Sequence, residues 1–99
     1  MVTMDGSSLR FSPVGELTIY QVEEALKQLT YSFGNAKDVW IDLSRIDKID
    51  TAGFQLLISL SKSCKVTDKK CNADGVCESV ENFMALFGYE FDAEYKGAL

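Results

Sequence analysis

A chain of 99 residues has room for one hydrophobic core and not for two. A composition of 46% hydrophobic and 25% charged residues is that of a globular protein rather than a disordered segment. A net charge of −5, from 15 acidic and 10 basic residues, works against binding a phosphate backbone.

The opening MVTMDGSSLR lacks a basic patch followed by an apolar stretch, so no secretory signal is expected, and no apolar run approaches the roughly 20 residues that span a bilayer. The expectation is a cytoplasmic protein forming a single domain over residues 1–99. Three cysteines, Cys64, Cys71 and Cys77, without a C-x-x-C pair, and no histidine, do not make a zinc site. They read as small buried hydrophobes in a reducing compartment. No metal and no cofactor are expected. Beyond Lys70 there are six carboxylates against the single Lys96, which reads as a solvated acidic face.

In chain order, Val2–Met4 and Ser8–Pro13 flank Asp5-Gly6 and predict a hairpin. Thr18 and Gln21 have capping-box spacing at the start of a helix over residues 19–33. Its apolar stripe is Val22, Leu26, Leu29 and Phe33, and Gly34-Asn35 are expected to end it in a left-handed turn. Val39-Trp40-Ile41 predicts a central strand covered on both faces. Arg45 to Asp50 reads as a loop anchored by Ile46 and Ile49.

The second helix is predicted over Thr51 to Cys64. Phe54, Leu57, Ile58, Leu60 and Cys64 share its inner face, while Thr51, Gln55, Ser59 and Lys62 share the outer one. Gly53 points inward, where a missing side chain lets the helix approach the sheet closely. A weak strand at Lys69–Ala73 and a third helix over Cys77–Phe87 follow, with Val80, Phe83, Met84 and Phe87 turned inward and Gly88 closing it. The order β-β-α-β-α-β-α predicts an α/β layered domain, a mixed four-stranded sheet with about three helices packed against it.

No catalytic constellation is present: no histidine base, no G-x-S-x-G, no phosphate loop. Asp42, Asp47 and Asp50 are close in sequence, but turn chemistry accounts for aspartates at a strand end and in a loop better than a cation does. The protein is not expected to be an enzyme.

The block Trp40 to Leu60, WIDLSRIDKIDTAGFQLLISL, carries a resemblance. An apolar strand ends in Asp42-Leu43-Ser44, a short loop follows, and Asp50-Thr51-Ala52-Gly53-Phe54 opens an apolar helix. With Gly15-Glu16-Leu17 upstream and Val80 to Gly88 downstream, the sequence resembles the STAS family (sulfate transporter and anti-sigma factor antagonist) over roughly residues 8 to 91. Phe54 replaces the usual leucine, and Cys64 to Cys77 lacks the usual glycine and apolar strand.

The resemblance implies a bacterial signal-transduction module that acts in transcription regulation by partner switching. Thr51 matches the residue phosphorylated in anti-sigma antagonists, and Asp50 the acid before it. The partner-binding residues expected are Asp50 and Thr51 from this match, together with Gln55 and Ser59 from the same outer face of the second helix. The implied partner is an anti-sigma factor of serine/threonine-kinase type, bound when Thr51 is unmodified and released when it is phosphorylated. Two alternatives stay open: an accessory subunit of a lipid or solute ABC transporter ATPase, docking through the same threonine, or a signalling protein of chemotaxis or sensory operons. Neither nucleic acid nor direct insertion into a membrane is expected.

Overall fold

The computed structural model describes residues 1–76, 78, 80–82 and 94–95. Strands β1 (Val2–Asp5) and β2 (Ser8–Phe11) form the expected hairpin, antiparallel, with Gly6 in the turn at φ 64°. β2 then pairs in parallel with β4 (Asp38–Leu43), and β4 with β6 (Lys70–Val76). Each of these parallel neighbours needs a crossover, and the helices α1 (Ile19–Phe33) and α2 (Thr51–Val66) supply them. A two-residue strand β7 (Glu94–Tyr95) adds to the β6 edge, so the described main sheet runs β1-β2-β4-β6-β7. The mixed sheet and its helical layer are the α/β architecture expected from the sequence.

Both helices pack on one face of that sheet. Leu9, Phe11, Val39, Ile41 and Leu43 point to them and are fully buried, together with Leu57. Each such side chain contributes about 1.5–3 kcal/mol by leaving water. The opposite face of β4 is only half-covered, because its residues alternate between buried and partly exposed. The expected two-sided covering is therefore corrected. Trp40 lies on that second face beneath Arg10, whose guanidinium is 5.9 Å from the ring centroid.

In α1 the buried residues are Ala25 and Leu29, flanked by half-buried Val22 and Phe33, whereas Leu26 is 52% exposed. The stripe steps through the small Ala25 and leaves Leu26 on the flank. Gly34 ends α1 in a right-handed conformation (φ −62°, ψ −28°), not a left-handed one. Turn bonds from Asn35 to Ser32 and from Ala36 to Phe33 close it instead.

The left-handed residue stands at the end of α2, two residues longer than expected. Asp68, at φ 57°, follows the C-cap Thr67. The Lys69 amide bonds the Cys64 carbonyl at 2.8 Å and the Asp68 amide bonds that of Lys65 at 3.3 Å, the paired closure of a Schellman turn. The inner face of α2 also includes Leu56 and Ser61, while Ile58 is only half-buried.

Residues 78 and 80–82 are helical and Val80 is fully buried, within the third helix expected over Cys77–Phe87. The rest of that helix and Gly88 lie outside the described residues. No helix among the described residues is long and apolar enough to cross a membrane.

Candidate functional site

Gly15–Leu17, given no element from the sequence, and Ile46–Ile49, read as part of a loop, are strands β3 and β5. They pair with each other in parallel, apart from the main sheet. Ile46 and Ile49 are buried, the inward anchors expected of that segment. Gly15 begins the ribbon at φ 84°, a left-handed conformation costly for any residue with a side chain, and its amide bonds the Arg45 carbonyl at 2.9 Å.

This ribbon places the site. Leu17 is in register with Ile49, and the next residue of each strand, Thr18 and Asp50, is the N-cap of a helix. Two parallel strands that each run straight into a helix set the two helix N-termini side by side. Both ends present unpaired amides and the positive pole of a helix dipole.

One carboxylate serves both ends. Asp50 accepts from the Gly53 amide of its own helix at 2.9 Å, and its other oxygen accepts from the Ile19 amide of α1 at 3.0 Å, across 31 residues. These bonds, Gly53 first and Ile19 second, hold the Asp50 carboxyl below the usual aspartate range. At α1 the Gln21 side-chain oxygen accepts from the Thr18 amide at 3.0 Å and from its hydroxyl at 2.8 Å, as the capping-box spacing leads one to expect.

Gly53 packs against the ribbon. A Cβ there would overlap the Leu17 carbonyl oxygen and lie 3.0 Å from Cγ1 of Ile49. The inward role assigned to Gly53 thus has a definite partner, the end of β3.

Thr51, Gln55 and Ser59 are all exposed, one helical turn apart along the outer stripe of α2. Among the described residues the Thr51 hydroxyl bonds to none. Asp50, by contrast, is committed to the two helix ends. Ser59 lines a groove of about 230 Å³ between the helices, with Leu26, Phe33 and Leu60 among its walls. Sequence reasoning missed Ile19 and Tyr20, 64% and 87% exposed, which follow the α1 cap, where the Ile19 amide bonds Asp50. The available signal was two large apolar residues outside the α1 stripe.

Of the neighbouring aspartates, Asp42 accepts from the Ser44 amide at 3.0 Å and hydroxyl at 2.6 Å, and the Ser44 hydroxyl is the main cause of its lowered pKa. Asp42 and Asp50 are thus engaged in a turn and two caps. No cluster of three metal-ligating side chains occurs among the described residues.

The architecture is found in solved structures. The anti-sigma factor antagonist SpoIIAA in its unphosphorylated form aligns with TM-score 0.79 at 13% identity, covering 100% of this chain and 88% of that one. A candidate anti-sigma factor antagonist from Thermotoga maritima aligns at 0.81 and 16%, covering 100% and 86%. A sulfate transporter family protein from Wolinella succinogenes aligns at 0.72 and 14%, covering 94% and 80%. At such identities the likeness speaks for the fold. A search of the curated proteins gives no match. The sequence itself matches the family model of the STAS domain over residues 2–90, which takes in the ribbon, both caps and the outer stripe of α2, and on that match the chain belongs to the STAS domain family.

Proposed function

We propose that this domain is a protein-binding regulatory module of the anti-sigma factor antagonist kind, a partner switch governed by phosphorylation of Thr51. The observation that carries the reading is the separation of duties at the start of α2. Asp50 and Gly53 fix the helix to the rest of the fold, while Thr51 is exposed and its hydroxyl is engaged by no described residue. A phosphate on Thr51 adds about −1.5 to −2 charges. Asp50 already occupies nearby amides, so the phosphate projects outward and changes the surface rather than the fold. The surface offered to the partner is Asp50, Thr51, Gln55 and Ser59, extended by Ile19 and Tyr20. Binding through this face needs no catalytic group, in keeping with a non-enzymatic role.

The test is affinity capture from the source cell with the wild type and two variants, followed by titration calorimetry against the captured partner. Thr51→Glu is expected to weaken binding by more than tenfold, at least about 1.4 kcal/mol, because a charge is buried against the partner. The thermal midpoint should stay almost unchanged, since a negative charge in the first turn favours the helix by about 0.3–1 kcal/mol. Thr51→Ala should keep the binding of the unmodified form. An alanine variant that loses a transporter ATPase partner supports the accessory-subunit reading, in which the hydroxyl itself makes the contact. If both substitutions unfold the chain, or neither alters binding, Thr51 is structural and the proposal fails.

A further inference from the structure

The far end of α2 holds a second arrangement, independent of Thr51. The Schellman turn at Thr67-Asp68 reverses the chain so that β6 starts back alongside the last turns of the helix. Cys64, on the inner face of α2, thereby comes beside Cys71, the second residue of β6. Both are buried, at 1% and 7% exposure, and no disulfide joins them. They line one pocket of about 230 Å³ with Lys65, Asp68 and Lys69. The Lys69 ammonium is anchored by the Ala36 carbonyl and lies 5.0 Å from the centroid of the Phe33 ring.

Burial as small hydrophobes accounts for each cysteine singly. It does not account for two thiols side by side in the wall of one pocket that a fixed positive charge also lines. We propose that Cys64 and Cys71 are a redox-responsive dithiol, which a small-molecule disulfide such as glutathione disulfide converts to an intramolecular disulfide tying the end of α2 to β6.

The chemistry balances as thiol–disulfide exchange. The Cys64 thiolate attacks one sulfur of glutathione disulfide and expels one glutathione thiolate, which takes up the proton that Cys64 gave up. The Cys71 thiolate then attacks the Cys64 sulfur of the mixed disulfide and expels the second glutathione, protonated in its turn. Two protein thiols are oxidised to one disulfide, and one glutathione disulfide is reduced to two thiols. Cys64 suits the attacking role: the Cys71 hydrogen bond, and after it the Lys69 charge, draw its pKa down against the opposing effect of burial. The short turn between the cysteines keeps the second step intramolecular.

The experiment equilibrates the native wild-type chain with glutathione buffers of graded poise, traps remaining thiols with N-ethylmaleimide, and weighs the chain and its tryptic peptides. The expected result is that two of the three cysteines lose reactivity together, the chain carries one N-ethylmaleimide adduct instead of three and is otherwise two hydrogens lighter, and a peptide ending at Lys65 is joined to the one beginning at Cys71. Dithiothreitol should reverse this, with far-UV circular dichroism unchanged throughout. Cys77 lies on the same tryptic peptide as Cys71, so Cys77→Ala is run in parallel and should behave as wild type. Cys64→Ala and Cys71→Ala should stop at a thiol or a glutathione adduct. The proposal is overturned if all three thiols stay reactive at every poise, if Cys77→Ala abolishes the cross-link, or if the bond forms only in denaturant.

Discussion

Gly53→Ala is expected to destabilise the domain by about 2 kcal/mol or more, against the usual sign for this exchange. In an open helix alanine exceeds glycine by about 0.8–1.0 kcal/mol. Here the added methyl overlaps the Leu17 carbonyl oxygen, part of a paired strand that has no rotamer to change. Forced overpacking costs roughly 1–3 kcal/mol and occasionally more, and a backbone obstacle places this site at the upper end. The clash therefore outweighs the propensity. For a domain of this size the midpoint falls by roughly 8–16 °C, from about 4–8 °C per kcal/mol. Thermal and urea denaturation of the two chains read it directly. A variant as stable as wild type would mean that α2 stands further from β3 than the structure has it. Leu17 also leads into the α1 cap, so a helix pushed away from it lengthens the Asp50–Ile19 bond, and partner affinity should fall along with stability.

Removing the Asp50 carboxylate is the second large perturbation, because one side chain caps two helices. Asp50→Ala leaves the Gly53 and Ile19 amides without their acceptor, and the midpoint should drop by more than the roughly 4–8 °C that the loss of a single cap costs. Asp50→Asn should fall between: its one carbonyl oxygen can serve one helix, while its amide group faces the donor of the other. The carboxylate form is distinguished by pH. The folded pKa lies below the ordinary 3.8, so the stabilisation is full above the unfolded value and is lost as pH falls through the lower, folded one. The stability gap between wild type and Asp50→Asn should be constant near neutrality and close in acid below about pH 4. Urea denaturation of both chains across that range isolates Asp50, since the other carboxyls titrate in both. A gap that survives acid shows that the charge contributes nothing.

What the sequence discloses follows the range of the interactions. The bounds of α1 and the inward position of Gly53 are legible because caps, periodicity and small residues act within a few positions. The ribbon is not. Gly15–Leu17 and Ile46–Ile49 are too short to show alternation, and only each other's presence makes them strands. The double cap is hidden for the same reason: Asp50 at the head of α2 announces its own helix but says nothing of Ile19, 31 residues away. Leu26 reads as inward because leucine outweighs Ala25 in any hydrophobic pattern, although close packing favours the smaller side chain. The Thr51 stripe was visible as polar residues at helical spacing, whereas the apolar flank at Ile19 and Tyr20 belongs to another helix. The approach of Cys64 to Cys71 depends on a left-handed aspartate, which no pattern in the sequence marks.

The ribbon also bears on how this surface comes into being. Pairing Leu17 with Ile49 requires closing a loop that contains the whole of α1 and β4, and such long-range closure comes at an entropic cost that local structure does not repay in advance. The corner around Thr51 is thus a product of topology, absent from any fragment that lacks one of the two ribbon strands. A synthetic peptide of residues 50–66 could form the α2 helix with Asp50 as its cap and still lack Ile19, Tyr20 and the second helix end. Such a peptide is a poor mimic of the domain, and a partner that reads the corner is reading whether the chain has folded.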